Sequence, residues 1–531
     1  MSVILQAVVV VVGLFFLKKF LTPKQLPAPL PPGPKPKPII GNLWDLPSTT
    51  ERDWVHWHKH RELYGGISSV TFFGKTLIII NDANIAVELM EKRSIKYSER
   101  PAGHFPELAG MHRIITTMQY SDPRLRAQRT LFREQVGSNN SIVRFYPVQE
   151  AEEGRFLMRV LESPGNLKEH IQKQAAAIVL SITYGYTVEP HGSDPLVELV
   201  TRAMVQFGAA IKPGAWIVDS VPFLKSLPTW VPFFSFPRAA KEFKETTRAW
   251  SDQPYAFVKK QMAEGTHKPS YVSALVEKDG FPEPDSTQDE LIKWTALAFY
   301  GAASDTTVAT MYALFIALAL FPDAQLKAQE EIDRVIGTDR LPVHTDRENL
   351  PYINAMVKEA LRWHTVAPMG VAHKAKEDDI SSPASPSSSS SSFPTSSTMT
   401  FTHDPKIYPS PMTFNPDRFL QTPTHIPERD PHFFSFGFGR RVCAGRTLAD
   451  ATLFLNIAQS LAALQIRKPR AADGTEVEIV PDFLPGLISH LGRCELDVRP
   501  RSDKHRGLIE ELGRRFPFGK GDADVIREVV F

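Results

Sequence analysis

The chain has 531 residues, 42% hydrophobic, 10% aromatic and 23% charged, enough apolar material for a large core, which excludes disorder throughout. Sixty-one Lys and Arg against 59 Asp and Glu leave a net charge of +2, so the electrostatic footprint of a nucleic-acid partner is missing. Only two cysteines, Cys443 and Cys494, are present, which excludes a disulfide scaffold and any four-cysteine zinc or iron–sulfur site.

From Val3 to Leu17 the chain is apolar apart from Gln6, and Lys18 and Lys19 come next. A spanning helix needs about 20 apolar residues. A cleaved signal peptide would carry its charge in front and a small-residue cleavage site behind, whereas here Lys18, Lys19, Lys24, Lys35 and Lys37 lie behind. Residues 1–21 therefore read as an uncleaved transmembrane anchor, with a buried core helix as the alternative, and the positive-inside rule places the chain beyond the anchor on the cytosolic side. Residues 22–42, with PAPLPPGPKPKPIIGN from Pro27 to Asn42, form a stiff, extended linker.

The body, 43–502, reads as mainly α with a small β-sheet region. Val70–Phe73 and Thr76–Ile80 flank Gly74-Lys75 as a hairpin, and helical patterns dominate from about 120 to 365. The longest opens on a capping box, Thr287 with Glu290, and runs to Leu320. Trp216, Trp230, Phe233, Phe234 and Phe236 lie in a proline-broken stretch that suits either a loop dipping into lipid or core packing. Ser381 to Ser397 holds 11 serines in 17 residues, the composition of a flexible linker. Residues 503–531 are a charged, weakly patterned tail.

The strongest chemical signal is Phe436 to Gly445, FGFGRRVCAG. A lone cysteine sits in a glycine-rich loop beside two arginines, directly before a helical pattern. A helix N-terminus and positive charge favour thiolate. A single thiolate without a second cysteine or clustered histidines suits a metal that brings its other ligands with it, as haem does.

With F-x-x-G-x-R-x-C-x-G in place, the chain resembles the microsomal, fungal-type cytochrome P-450 family of haem-thiolate monooxygenases over roughly residues 1 to 510. Glu359-Ala360-Leu361-Arg362 matches the family's E-x-x-R, which is paired with an arginine in a segment like FNPDRF, here Arg418; the resemblance makes this trio structural. It also implies Cys443 as the axial ligand of heme b, with Phe436, Gly439 and Gly445 shaping the cofactor-binding loop, and Arg441, His373 and Arg129 reaching the haem propionates. The family often has W-x-x-x-R before Arg129; here Leu125 replaces the tryptophan, and Arg124 and Arg126 also suit a solvated face. In GAASDTT, Gly301 to Thr307, the resemblance implies that Asp305 and Thr306 relay protons to bound dioxygen, although Ala303 stands where the family has glycine and Thr306 could instead bond back to its own helix.

The serine tract occupies the place of two strands of the family's small sheet. If each serine is a TCN codon and the frame moves by two bases, Phe393 to Ser396 can read L-P-N-V, a strand end the family has there. Residues 380–398 are thus expected to be a frame-shifted translation, the alternative being a genuine serine insertion.

The resemblance implies a monooxygenase of the endoplasmic reticulum membrane, single-pass with its catalytic domain cytosolic. It would receive electrons from an NADPH–cytochrome P-450 reductase docked on the basic face behind Cys443, and insert one oxygen atom of O2 into a lipophilic small molecule: a terpenoid, a polyketide or a polycyclic aromatic of fungal secondary or xenobiotic metabolism. Pocket-lining candidates are Phe105 to Ile115, Ala298, Phe299, Ala302, Val366 to Val371, Leu487 and Ile488. The alternatives are a haem-binding but inactive product of a disrupted gene and an O2-independent isomerase or dehydratase, a class that tends to lack the acid–threonine pair.

Overall fold

The computed structural model describes residues 29–38, 40–48, 50–230, 234–377, 379 and 392–528. The expected anchor at 1–21, the first part of the linker, Phe233 and most of the serine tract lie outside the described residues. The chain divides into two compact units: one formed by the residues up to Pro101 with Met369–Phe401 and Phe438–Arg441, the other by Ala102–Pro368, Thr402–Gly437 and the residues from Val442 on. The architecture is mainly helical with small sheets, as the sequence predicts.

The first unit carries a three-stranded sheet. Helix α1 (Asp53–Tyr64) supplies the buried Trp57. Strands β1 (Ile67–Phe72) and β2 (Lys75–Ile80) pair antiparallel, with Phe72 opposite Lys75, so the hairpin forms where it is expected. Gly74 takes the positive φ its turn requires. Val70, Phe72, Leu77 and Ile79 pack with Trp57 into this unit's core. Strand β3 (Ser392–Ser396) adds to β2 in parallel, Leu77 opposite Phe393 and Ile80 opposite Ser396. The linker reading of the tract therefore fails for its last residues: the open edge of β2 satisfies the backbone groups of this segment, and pairing overrides composition. The buried hydroxyls find partners locally, Thr395 Oγ1 donating to the Met369 carbonyl at 2.7 Å and Ser397 Oγ lying 2.7 Å from Thr400 Oγ1.

In the second unit, α2 (Pro123–Val136), α3 (Tyr146–Glu162), α4 (Leu167–Tyr184), α5 (Thr287–Leu320), α6 (Pro351–Trp363) and α7 (Arg446–Ala463) position the chemistry. Helix α5 has 34 residues, a length of roughly 50 Å. Its cap is Ser286, whose side chain accepts from Asp289 N, one residue before the expected box. Ser286 has the extended backbone that capping needs, whereas Thr287 is already helical. By length and composition α5 could cross a membrane, but 72% of its apolar window is buried; it is a core helix lying against α4. Strands β4 (Leu464–Arg467) and β5 (Asp497–Pro500) make a separate antiparallel pair.

The tail is a strap. Helix α8 (Asp503–Arg515) lies on α3, and a short α9 (Ala523–Arg527) ends it. Gly154 admits the Phe516 ring, which would stand 3.2 Å from a Cβ there, and a Cβ at Gly513 would meet Met158 Sδ at 2.8 Å. Arg155 donates to the Pro517 carbonyl at 3.1 Å, the Arg159 guanidinium stands over the Phe518 ring, and Asp522 accepts from Thr187 N at 2.7 Å. Ile526 is buried in the core of this unit. Two glycines of α8 give opposite predictions. A Cβ at Gly507 meets nothing within 4 Å, so Gly507→Ala raises stability by up to ~1 kcal/mol through helix propensity. Gly513→Val overpacks the α3 contact and lowers stability by about 1–3 kcal/mol. Urea unfolding of the two variants checks both signs.

Candidate active site

The loop from Phe436 to Gly445 closes on itself: Cys443 N donates to the Phe436 carbonyl at 2.8 Å, and the Phe436 ring stacks on His432. Gly445 is the N-cap residue of α7, so the sulfur faces the head of that helix and accepts from the backbone N–H groups of Gly445 and Arg446. Arg129, on α2, donates to the Val442 carbonyl at 3.0 Å, which brings its guanidinium within electrostatic reach of the sulfur. Burial pushes the Cys443 thiol up by more than these amides, Arg129 and Arg446 pull it down. Charge and helix terminus thus pull toward thiolate, as the sequence suggests, and desolvation opposes them. Cys443 is nevertheless exposed as a residue. Arg124 is exposed and tied to Asp122, and Arg126 is exposed, as a solvated face requires.

The first unit holds a basic cluster. Gly439 has φ +52°, and a Cβ there would sit 2.4 Å from the Met90 carbonyl, so only glycine lets the loop approach this closely. Arg441 Nε donates to the Ser98 carbonyl at 2.7 Å. His373 N donates to the Pro394 carbonyl of β3 at 2.8 Å, and His373 Nδ1 donates to the Tyr97 carbonyl at 2.6 Å. Arg100, which sequence reading missed, donates to the carbonyls of Val371 and Ala372 at 2.7 and 2.8 Å. Burial, then the charges of Arg100 and Arg441, hold His373 well below the usual imidazole range. Nothing local in YSERP singles out Arg100; only its fold partners do.

In the second unit Glu359, Arg362 and Arg418 are all buried. Arg362 grips Glu359 at 2.7 and 2.8 Å and directs its remaining donors to the carbonyls of Thr402, Pro411 and Thr413. Arg418 Nε donates to Glu359 at 3.3 Å, and its Nη1 to Glu428 at 2.8 Å. Burial pushes the Glu359 carboxyl up, while Arg362, Arg418 and the Asn415 N–H oppose it.

On α5, Ala302 is exposed and Asp305 and Thr306 are half-buried, in the middle of a helix otherwise in the core. Thr306 Oγ1 donates back to the Ala302 carbonyl at 2.8 Å. Asp305 Oδ1 lies 3.0 Å from His490 Nε2, a partner the sequence did not suggest. Phe299 does not share the open face: its ring packs edge-on against Phe132 and Tyr271, so it is core and not pocket lining. The aromatic stretch divides. Trp216 stacks on Phe105 at 3.7 Å, Phe236 is buried, and Trp230 is 77% exposed.

Comparison with known proteins agrees with this chemistry. The Cytochrome P450 family model matches residues 31–477. The chain is 44% identical to cytochrome P450 monooxygenase ppsD of Aspergillus oryzae over the full length of both. It is 41% identical to multifunctional cytochrome P450 monooxygenase af510 of Aspergillus fumigatus, covering 91% of this chain and 90% of that one. It is 39% identical to O-methylsterigmatocystin oxidoreductase of Aspergillus flavus, covering 96% and 95%. The chain belongs to the cytochrome P450 family. It is a monooxygenase, an oxidoreductase that incorporates oxygen, and it shares the family's heme b cofactor.

The residues present fit that cofactor. The second unit offers one thiol, in an exposed residue, with amide donors aimed at its sulfur, the ligand type haem iron takes. The first offers buried guanidinium groups, the donors that carboxylates such as propionates select. Replacing Glu359 by alanine leaves Arg362 and Arg418 buried without their shared counter-charge. The expected loss is about 3–5 kcal/mol, read as a lowered urea midpoint and a lowered yield of folded protein.

Proposed function

We propose that Cys443 ligates the haem iron and that the chain is a membrane-anchored enzyme oxidising a lipophilic fungal metabolite. Heme b supplies oxygen activation, with electrons drawn from NADPH through a cytochrome P-450 reductase on the basic face behind Cys443. The chain's own residues do the rest. Phe436, Gly439 and Gly445 shape the loop, the Gly445 and Arg446 amides hold the sulfur's charge, and Arg441, His373 and Arg129 take the propionates. Asp305 and Thr306 hold and move protons above an open face. Glu359, Arg362 and Arg418 hold the structure and touch no substrate. The observation that carries the reading is the Cys443 sulfur at the head of α7, accepting two backbone amides.

The small and apolar residues expected to line the pocket, such as Ala298, Ala302 and Leu487, support an apolar substrate: a terpenoid, a polyketide or a polycyclic aromatic. One relative is named for O-methylsterigmatocystin, which supports a small organic metabolite. The apolar stretch before Lys18 supports an anchor in the endoplasmic reticulum membrane with the catalytic domain cytosolic. The register of β3 on β2 supports a frame error over 380–398: it puts Phe393 to Ser396, the stretch that reads L-P-N-V in the other frame, opposite Leu77 to Ile80. Sequencing the transcript across this span tests that, and an in-frame serine tract refutes it.

The ligand assignment predicts that the reduced, carbon-monoxide-bound protein shows a far-red-shifted Soret band that Cys443→Ser abolishes. A band unchanged by the substitution, or missing from both this chain and its frame-corrected form, overturns it.

A further inference from the structure

His490 lies outside every motif that identifies the family, yet the fold builds its position. The turn from Phe483 to Leu491 pairs these two residues antiparallel. Leu484 N donates to the His490 carbonyl at 2.8 Å, and Gly492 N to the Asp482 carbonyl at 2.8 Å. The neighbouring Ser489 is fixed twice to the chain leaving α6: its N–H donates to the Val366 carbonyl at 2.8 Å, and its own carbonyl accepts from His364 Nε2 at 2.8 Å. Held in this way, His490 Nε2 reaches Asp305 Oδ1 at 3.0 Å. Both side chains keep about a quarter of their surface open, 28% and 24%, so the pair is within reach of solvent.

A carboxylate that gives up a proton during each turnover has to recover it. Asp305 has no other ion-pair partner within 4 Å among the described residues, while imidazole is the side chain whose ordinary range lets it both give and take a proton near neutral pH. We propose that His490 is the positioning residue that holds Asp305 and returns its proton. The Nε2–H bond of the imidazolium breaks as an O–H bond forms on the Asp305 carboxylate, leaving a neutral imidazole that keeps its Nδ1 proton; a hydronium ion from solvent then restores the imidazolium, so no redox partner is needed. This rests on the proposed role of Asp305, and the test separates the two.

His490→Gln keeps a hydrogen-bond donor beside Asp305 and removes the transferable proton; Asp305→Asn keeps an accepting oxygen but removes the carboxylate that takes up the proton. Both are compared with wild type after confirming the same carbon-monoxide spectrum, which shows an intact haem site. In wild type, a hydrogen-bonded Nε2 proton of His490 is expected downfield in the proton–nitrogen spectrum of the reduced, carbon-monoxide-bound protein, and Asp305→Asn, whose neutral oxygen accepts more weakly, moves it upfield. His490→Gln is expected to lower kcat about tenfold, less than the ~10²–10⁴-fold of removing a direct proton donor. KM stays unchanged, the solvent isotope effect rises, and a larger share of the electrons is released as hydrogen peroxide. A raised KM with unchanged kcat would mean that His490 touches substrate and overturns the proposal, as would wild-type turnover in His490→Gln. If Asp305→Asn itself leaves turnover and peroxide release unchanged, the role of Asp305 fails, and that of His490 with it. If Asp305→Asn is impaired while His490→Gln is not, only the His490 inference fails.

Discussion

One buried carboxylate governs the second unit. Glu359 has no exposed surface, and a carboxylate in that position costs several kcal/mol unless its lone pairs are filled. Two arginines and the Asn415 N–H fill them. Arg362 and Arg418 are in turn buried charges whose remaining donors need acceptors, and backbone carbonyls of residues 402–413 supply them. The demand for hydrogen bonds thus passes from one carboxylate to an irregular stretch of chain that has no ladder of its own. Trp363 Nε1 adds a further tie to the Met412 carbonyl. Lysine could not replace either arginine: a point charge with three donors cannot serve a carboxylate and several carbonyls in fixed directions. Arg418 itself, and Glu428 that it also holds, lie on the segment between this stretch and the cysteine loop.

The groups proposed to handle protons have a different design. Asp305 and Thr306 sit on a long helix whose flanks are in the core, so their backbone has little freedom. The hydroxyl of Thr306 bonds back to Ala302, which widens that turn only locally. His490 instead stands on a short turn, made rigid by backbone amide and carbonyl contacts rather than by a helix. A rigid acid and a loop-borne base can therefore be tuned separately, the first by the core and the second by the turn.

The legible parts of the sequence are those whose meaning is local. The cysteine loop, E-x-x-R, the hairpin around Gly74 and the length of α5 depend on residues close together in the chain, and all of them are found as read. The rest depends on distant partners. Arg100 and His490 are lone charged residues until the fold brings Val371 to one and Asp305 to the other. Phe299 stands one residue from Ala298, and only the packing of Phe132 and Tyr271 shows that it turns away from the open face. The tail has the composition of a solvated segment, yet α8 buries Ile509 and sets Leu508 and Leu512 against the core, while Gly154 and Gly513 let it approach α3 closely. These few apolar residues among charged ones do not announce a docked helix until α3 stands beside them.

Strand β3 carries that dependence into the site itself. Burying a valine- or isoleucine-sized side chain contributes about 1.5–3 kcal/mol, and at Ser392, Ser396 and Ser397 the strand and its end bury hydroxymethyl groups instead. What holds it is the ladder to β2, together with hydroxyls that must each find an acceptor. Yet the Pro394 carbonyl of this strand fixes His373, and through the Tyr97 carbonyl His373 is joined to the segment that carries Ser98 and Arg100. The basic cluster therefore takes its geometry from the least apolar strand of the sheet. A chain with aliphatic residues at these positions would keep the backbone contacts of the cluster and add the burial that the serines lack, so the cluster would be tighter in such a strand.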